Sequence, residues 1–124
     1  ENHPRIYHMG FVNDVRTCML NVDSVILPSY REGFPNVLLQ AGSMKKLLIA
    51  SDISGCNEII VDHETGFLIP PKCISSLRDI MKKVVLMEKK ELLSIQNRCR
   101  SRISDLYDVN NFRKSLLRFY NDTL

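Results

Sequence analysis

The sequence predicts an α/β fold in which a parallel sheet is flanked by helices and followed by a helical C-terminal tail. Short apolar runs, "SVILP", "LLIA" and "FLIP", alternate along the chain with segments whose apolar residues recur at helical spacing. The first run is continuous and lacks the apolar–polar alternation of a strand with one wet face, so it is expected to be covered on both faces. Strands that alternate with helices favour a parallel sheet with right-handed crossovers.

The size and composition of the chain are those of one domain. Its 124 residues can bury a single modest core. No apolar run approaches the ~20 residues of a membrane span, and the sequence does not open with a signal-peptide pattern. Scattered histidines and the absence of a CxxC pair disfavour a metal site or a disulfide framework and favour reduced thiols in a cytoplasmic protein. The residues concerned are His3, His8, His63, Cys18, Cys56, Cys73 and Cys99.

A first strand and a first helix are predicted before residue 24. The stretch "RIYHMGFV" is rich in β-formers and has Gly10 as its breaker, which predicts a strand over residues 5–9. In "NDVRTCMLNV", Asp14 suits the N-cap of a helix. The apolar residues that follow it have helical spacing: Val15, Cys18, Met19 and Val22. We expect this helix to close at residues 23–24.

Two strand–helix units and a last strand follow. Residues 24–28 form the run "SVILP", and Pro35 suits the first turn of a helix that continues through "NVLLQAGSMKK". The run "LLIA" predicts a second buried strand, and a short helical turn is expected around residues 58–61. Gly66 is expected to be a turn glycine with positive φ, ahead of the strand "FLIP".

Residues 72–124 are predicted to be a helical tail of the same domain, because three apolar stripes recur at helical spacing. The stripes are Ile74, Leu77, Met81, Val84 and Val85; Leu92, Ile95, Cys99, Ile103 and Leu106; and Phe112, Leu116, Phe119 and Tyr120. This tail has 12 basic and 6 acidic side chains. Its positive charge allows peripheral contact with an anionic membrane or a phosphorylated partner, but we favour solvated helix faces because the lysines are interleaved with apolar residues.

The corner between the "SVILP" strand and the next helix is the most informative segment. In open α/β sheets, ligands bind beyond the carboxyl ends of the strands, next to helix N-termini. The free N–H groups of Asn36 and Val37 favour an anion there, and Gly33 allows the backbone to approach a ligand closely. Asn36 and Gln40, one helical turn apart, can bond neutral hydroxyls. Glu32 beside an anion site fits a diphosphate that carries a sugar, since a carboxylate is a strong acceptor for sugar hydroxyls.

The same corner allows a simpler interpretation. A carboxylate at a strand-to-helix turn is often only a helix cap or a solvated loop residue. Gly55 and Glu58 can line the crevice from the next strand, but Glu58 is better explained as a cap or ion-pair partner of the short helix. From the residues alone, a nucleotide-sugar site and a purely structural corner both stay open.

Four segments, in order and spacing, add a resemblance: "YHMGFV", "VILPSYREGFPNVLLQA", "LLIASDISGCNEII" and "ETGFLIPP". Together they resemble the C-terminal, donor-binding domain of family 4 (group 1) retaining glycosyltransferases, which have a GT-B fold of two Rossmann-like domains. The resemblance implies that residues 1–124 are a single, partial donor-binding domain with a partial Rossmann-like sheet. It implies an enzyme that transfers a sugar, with retention, from a nucleotide-diphosphate sugar to a glycan or lipid-linked acceptor and needs no other cofactor.

The resemblance also implies roles for individual residues. Glu32 matches the first carboxylate of the family's Glu-x7-Glu motif, which contacts the donor sugar, and is the candidate catalytic residue. Phe11 and Val12 match, more loosely, the segment that contacts the nucleobase. The second motif position holds Gln40 instead of glutamate, so weaker binding of the ribose hydroxyls is expected. The loop and helix start that match the family's donor-binding backbone are Gly33, Phe34, Pro35, Asn36 and Val37.

A larger departure from the family is length. The match begins at the third strand of the donor domain. We therefore expect the chain to lack two strands of that domain, an Arg/Lys pair for the diphosphate and the N-terminal acceptor domain, and to need the missing N-terminal domain as a partner. We expect the isolated chain to be inactive, and either to self-associate through its unpaired strand edge or to pair residues 5–9 with residues 25–28. An inert nucleotide-binding remnant and a protein-interaction module stay open as alternatives. The expected location is cytoplasmic, at the inner face of the membrane if the tail contacts lipid, with no nucleic-acid partner.

Overall fold

The computed structural model describes residues 3–123, which form a three-layer α/β arrangement. The strands β1 (Ser24–Leu27), β2 (Leu47–Ser51) and β3 (Phe67–Ile69) pair in parallel in the order β1-β2-β3. The helices are α1 (Val15–Met19), α2 (Asn36–Ser43), α3 (Cys56–Ile59), α4 (Ile74–Leu86), α5 (Lys89–Tyr107) and α6 (Val109–Thr123). The predicted fold class, a parallel sheet flanked by helices with a helical tail, is confirmed.

Helices cover the sheet on both faces, and each face has its own core. On one face, α2, α3 and the second half of α5 pack on Leu48 and Ala50. On the other face, α4 and the first half of α5 pack on Leu47 and Ile49. Strand β2 is buried at every position, as predicted. Strand β1 is only half-buried along its length, because within residues 3–123 its outer edge has no neighbouring strand.

The predicted strand over residues 5–9 is wrong. The structure assigns no strand to this segment, and Ile6, Tyr7 and Met9 are exposed. A strand needs a partner for its backbone groups, and this segment pairs neither with residues 25–28 nor with any other part of the described chain. The expected pairing with residues 25–28 is therefore wrong, and self-association stays a prediction.

Several element boundaries also differ from the prediction. Asp14 is the N-cap of α1, as predicted, but that helix ends at Met19 instead of residues 23–24. Pro35 is the N-cap of α2 and not a residue of its first turn. The short helix expected around residues 58–61 begins earlier, because Gly55, at a φ of 84°, turns the chain at its start.

The role predicted for Gly66 is wrong. Its φ is not positive, and His63, at a φ of 61°, has the left-handed conformation in this turn instead. A Cβ on Gly66 would lie 2.6 Å from the carbonyl oxygen of Leu48. Gly66 is therefore required by the close approach of two chain segments and not by its backbone conformation.

The predicted stripes of the tail are right only in part. The centre of α5 is buried as predicted, but Ile74, Met81 and Val85 of α4 are exposed. The sheet-facing side of α4 is instead formed by Leu77, Ile80 and Val84. Leu106, Phe112, Leu116, Phe119 and Tyr120 are exposed as well, and α6 has no buried residue. The stripes did predict the helices; which apolar residues are covered depends on neighbouring elements.

Arginines of α5 explain part of the positive charge of the tail. Arg100 donates to the carbonyl oxygen of Ser43, the last residue of α2. Arg102 donates at 3.0 Å to the carbonyl oxygen of Ile59, the last residue of α3, and Arg98 donates at 2.7 Å to a loop carbonyl. These guanidinium groups donate to carbonyl oxygens that have no other partner in the described part of the chain. The positive charges of Arg100 and Arg102 also stabilise the negative C-terminal ends of α2 and α3. No helix within residues 3–123 has the length and apolar character to cross a membrane.

Candidate functional site

The candidate site lies at the edge of the sheet where the parallel strands end. The connection from β1 to α2 and the connection from β2 to α3 both begin at this edge. The two connections touch, because a Cβ on Gly55 would lie 2.2 Å from the carbonyl oxygen of Gly33 and 3.2 Å from the Cδ of Pro35. The residue before α3 therefore packs against the residues that lead into α2.

Glu32 is half-buried at this corner. Its Oε1 accepts a hydrogen bond of 2.6 Å from the hydroxyl of Ser29. Its Oε2 accepts no hydrogen bond from the residues that the structure describes. An ionised carboxylate accepts at both oxygens, so Ser29 fixes the group while acceptor capacity is left for a hydroxylated ligand.

The start of α2 supplies hydrogen-bond donors next to this carboxylate. Pro35 has no side chain that can cap the helix. The N–H of Leu38 donates to the carbonyl oxygen of Pro35 at 3.0 Å, whereas the N–H groups of Asn36 and Val37 find no acceptor among the described residues. Asn36 and Gln40 are both exposed, at the spacing that puts them on one face. The corner thus combines two free amides at a positive helix end with one carboxylate.

The residues between Glu32 and α2 have different surroundings. Gly33 is exposed, and a Cβ added to it would meet nothing within 4 Å. The ring of Phe34 packs against the ring of Tyr107, with centroids 5.4 Å apart and planes tilted by 59°. Pro35 is buried. Tyr107 was not among the predicted site residues, because nothing in the chain around residue 107 indicates that it reaches this corner.

Cys56 lies beneath the corner at the first position of α3 and is fully buried. Burial raises the pKa of its thiol, and the negative charge of Glu32 raises the pKa further. The thiol is therefore neutral at physiological pH, and its neighbour Gly55 packs on Gly33, the residue after Glu32.

Glu58 has the structural role predicted for it. Its carboxylate Oε1 accepts hydrogen bonds from the N–H of Gly55 at 3.2 Å and from the hydroxyl of Ser54 at 3.4 Å. The bond from the N–H of Gly55 is one half of a capping box at the start of α3, since glycine has no side chain to accept the reciprocal bond. Glu58 therefore stabilises the helix that supports the corner and does not point at a ligand.

The structure does not join Phe11 and Val12 to the rest of the site. Phe11 is 93% exposed and Val12 is half-buried, just before α1. Neither makes an aromatic contact or side-chain hydrogen bond to residues 32–40 in the part of the chain that the structure describes. Their contact with a nucleobase stays a prediction. Within residues 3–123, no three or more His, Cys, Asp or Glu side chains group closely enough to hold a metal ion.

A small cavity of about 170 Å³ lies beside the corner, at the carboxyl ends of all three strands. Lys72, at a φ of 62°, places its ammonium group 5.3 Å from the ring centroid of Tyr30 at the rim. Cys73, also at the rim, lies 3.3 Å from the hydroxyl of Ser75 and 3.0 Å from that of Ser76. These hydrogen bonds lower the pKa of the Cys73 thiol from 9.0 to about 7.

Alkylation of Cys73 by iodoacetamide is therefore expected to rise with pH through a midpoint of about 7, because only the thiolate reacts. Replacing Ser75 and Ser76 by alanine removes the two hydroxyl donors and is expected to raise the midpoint, with about tenfold slower labelling at pH 7. Peptide mass spectrometry measures the rate at each pH. Cys99 is the control, because burial raises the pKa of its thiol to about 11. A Cys73 midpoint near 9 would contradict the expectation.

The sequence of the chain is similar to that of a protein family and of individual proteins. The sequence pattern of the family described as "Glycosyl transferases group 1" matches residues 1–102. The chain is 30% identical over 122 residues to the N,N'-diacetylbacillosaminyl-diphospho-undecaprenol alpha-1,3-N-acetylgalactosaminyltransferase of Campylobacter jejuni, covering 97% of this chain and 31% of that protein. It is 30% identical over 105 residues to the UDP-Gal:alpha-D-GlcNAc-diphosphoundecaprenol alpha-1,3-galactosyltransferase of Escherichia coli, covering 85% of this chain and 27% of that protein.

Solved structures show the same fold. Anabaena HepE, in complex with UDP and glucose, superposes with a TM-score of 0.88 at 22% identity, over 96% of this chain and 32% of that chain. The chain thus spans less than a third of the length of each of these three proteins.

Proposed function

Because the chain belongs to the group 1 glycosyl transferases, we propose that it is the donor-binding part of an enzyme that transfers a sugar, with retention, from a nucleotide-diphosphate sugar. The observation that carries the proposal is the pairing of the half-buried Glu32 with the free amides of Asn36 and Val37 at one corner. The amides and the positive helix end suit a diphosphate. The carboxylate suits the hydroxyls of the attached sugar.

In the proposed reaction, the bond between the anomeric carbon and the diphosphate oxygen breaks, and a bond to the acceptor oxygen forms on the same face of the sugar. The acceptor hydroxyl gives its proton to the departing diphosphate. Negative charge grows on the departing diphosphate, and the N–H groups at the start of α2 stabilise it. Glu32 orients the sugar by accepting hydrogen bonds from its hydroxyls, and Gln40 accepts from or donates to the ribose. The remaining cations for the diphosphate and the acceptor-binding surface belong to the rest of a full-length protein.

The acceptor that we propose is a glycan or a lipid-linked saccharide. Two relatives are named for transfer to undecaprenol-diphosphate-linked acceptors, and this supports the lipid-linked form. Such an acceptor would place the enzyme at the cytoplasmic face of a membrane, where the basic residues of the tail that form no hydrogen bond or ion pair within residues 3–123 meet anionic headgroups. No cofactor besides the nucleotide sugar is proposed.

Nucleotide titration of the full-length protein tests the proposal. UDP, GDP and ADP are titrated by calorimetry, with chemical shifts recorded for the amides of Asn36 and Val37, and at least one nucleotide is expected to bind and shift both. Gln40→Glu is expected to tighten binding about tenfold, because a charged acceptor bonds ribose hydroxyls more strongly than a neutral one. The exposed Asn97, changed to Asp, adds the same charge on α5 and should leave affinity unchanged. If no nucleotide shifts these amides at millimolar concentration, the corner is structural and the proposal is wrong.

A further inference from the structure

We propose that Tyr107 is a positioning residue for the donor corner, and that it holds residues 32–36 in place through the ring of Phe34. Tyr107 is the last residue of α5 and lies far from the corner along the chain. The inference rests on the proposed function in so far as residues 32–36 bind the donor.

Tyr107 is itself fixed by α3. Its hydroxyl donates to the carbonyl oxygen of Glu58 at 2.9 Å, and Arg102 donates to the same carbonyl at 3.0 Å. The ring, held in this way, packs against Phe34 in a tilted arrangement with centroids 5.4 Å apart, which is a favourable geometry for aromatic pairs. The contact therefore connects the corner to the end of α5 through an immobilised ring.

The corner has few other anchors. None of the backbone groups of residues 29–34 takes part in a hydrogen bond within the part of the chain that the structure describes. The other contacts of this segment are the bond from Ser29 to Glu32, the packing of Gly33 on Gly55 and the Lys72 ammonium group over the ring of Tyr30. Phe34 is 43% exposed, so the core alone does not fix its ring. A segment without backbone hydrogen bonds opens easily, and the contact between Phe34 and Tyr107 opposes that opening next to Glu32.

The two parts of the donor site should respond differently when this contact is lost. The free amides of Asn36 and Val37 belong to α2, which is anchored on the sheet by the fully buried Leu38 and Ala41. Glu32 lies in the loosely anchored segment, and a misplacement of about 1 Å at a reacting group can cost on the order of 100-fold in rate. Loss of the Tyr107 ring is therefore expected to lower kcat about tenfold in the full-length enzyme, while the Kd for UDP changes less than about twofold.

A labelling experiment tests the contact without any nucleotide. Cys56 lies under the corner and Cys99 lies between α5 and α2, and both thiols are fully buried. Tyr107→Leu in the full-length protein is expected to raise the rate at which N-ethylmaleimide labels Cys56 by about three- to tenfold, with no change at Cys99, as measured by peptide mass spectrometry. Tyr107→Phe keeps the ring but loses the bond to Glu58, so its increase at Cys56 should be clearly smaller than that of Tyr107→Leu. Tyr120→Leu removes an exposed ring of α6 and should also have no effect.

Three results would overturn the proposal. Unchanged labelling of Cys56 in Tyr107→Leu would show that the ring does not hold the corner. A parallel rise at Cys99 would show a general loss of stability instead of local opening. Equal effects of Tyr107→Phe and Tyr107→Leu would show that only the hydroxyl bond to α3 matters. If the wild type binds no nucleotide, the proposed function fails, but the labelling result still decides whether Tyr107 positions residues 32–36.

Discussion

Glu32→Gln is expected to lower the sugar-transfer rate of the full-length enzyme by on the order of 100-fold. The substitution keeps the size of the side chain and the bond from Ser29, which joins Ser29 to Oε1 at 2.6 Å. In the proposed reaction, the substitution removes the negative charge of the group that accepts hydrogen bonds from the sugar while the bond between the anomeric carbon and the diphosphate breaks. Steady-state kinetics with the preferred nucleotide sugar gives kcat. Calorimetry with the nucleoside diphosphate should show little change in affinity, because we propose that the amides of Asn36 and Val37 bind the diphosphate.

Glu64→Gln is the matched control for this variant. Glu64 is exposed in the turn before β3, so the same change of charge occurs away from the corner. Its transfer rate should equal that of the wild type. Equal rates for Glu32→Gln and the wild type would mean that Glu32 is only a helix-corner residue, which would remove the main support for the catalytic role.

Gly55→Ala is expected to lower the free energy of unfolding by about 3 kcal/mol. Gly55 has a φ of 84°, which residues with a side chain rarely adopt. The Cβ of an alanine at this position would lie 2.2 Å from the carbonyl oxygen of Gly33. A backbone carbonyl cannot turn aside as a flexible side chain can, so the connection before α2 has to move. Urea denaturation measures the loss of stability, and nucleotide binding should weaken in parallel.

Gly33→Ala separates the two effects, because a Cβ at that position meets nothing within 4 Å. Its stability should stay within about 0.5 kcal/mol of the wild type, whereas donor binding should weaken if the backbone of Gly33 approaches the ligand. Wild-type stability in Gly55→Ala would mean that the two connections separate without cost, and the described contact between them would then be unimportant.

The parts of the fold that the sequence predicted are those whose causes are local. The buried run of β2, the cap of Asp14 on α1 and the capping role of Glu58 each follow from neighbouring residues. The corner was predictable for the same reason, since Glu32 and the start of α2 lie within a few residues of each other.

The parts that failed depend on partners distant in sequence. An apolar, β-rich segment at residues 5–9 forms no strand, because within residues 3–123 nothing pairs with it. Ile74 and Val85 fit a helical stripe, yet they are exposed because the sheet covers another side of α4. The contact between Tyr107 and Phe34 needed the whole course of α5, which no local pattern specifies.

The position of α5 has a consequence for folding during synthesis on the ribosome. The chain emerges from its N-terminus, so the sheet and α2 leave the exit tunnel well before the arginines that bond the ends of α2 and α3. Until Cys99 and Ile103 arrive, one face of β2 is covered only in part, by α2 and α3, and the surface of Gly42 stays uncovered. The nascent domain therefore exposes apolar surface until α5 has been synthesised. During this interval, more apolar surface is available to a chaperone than in the folded domain. The corner that contains Phe34 gains its contact with α5 only when translation has passed Tyr107.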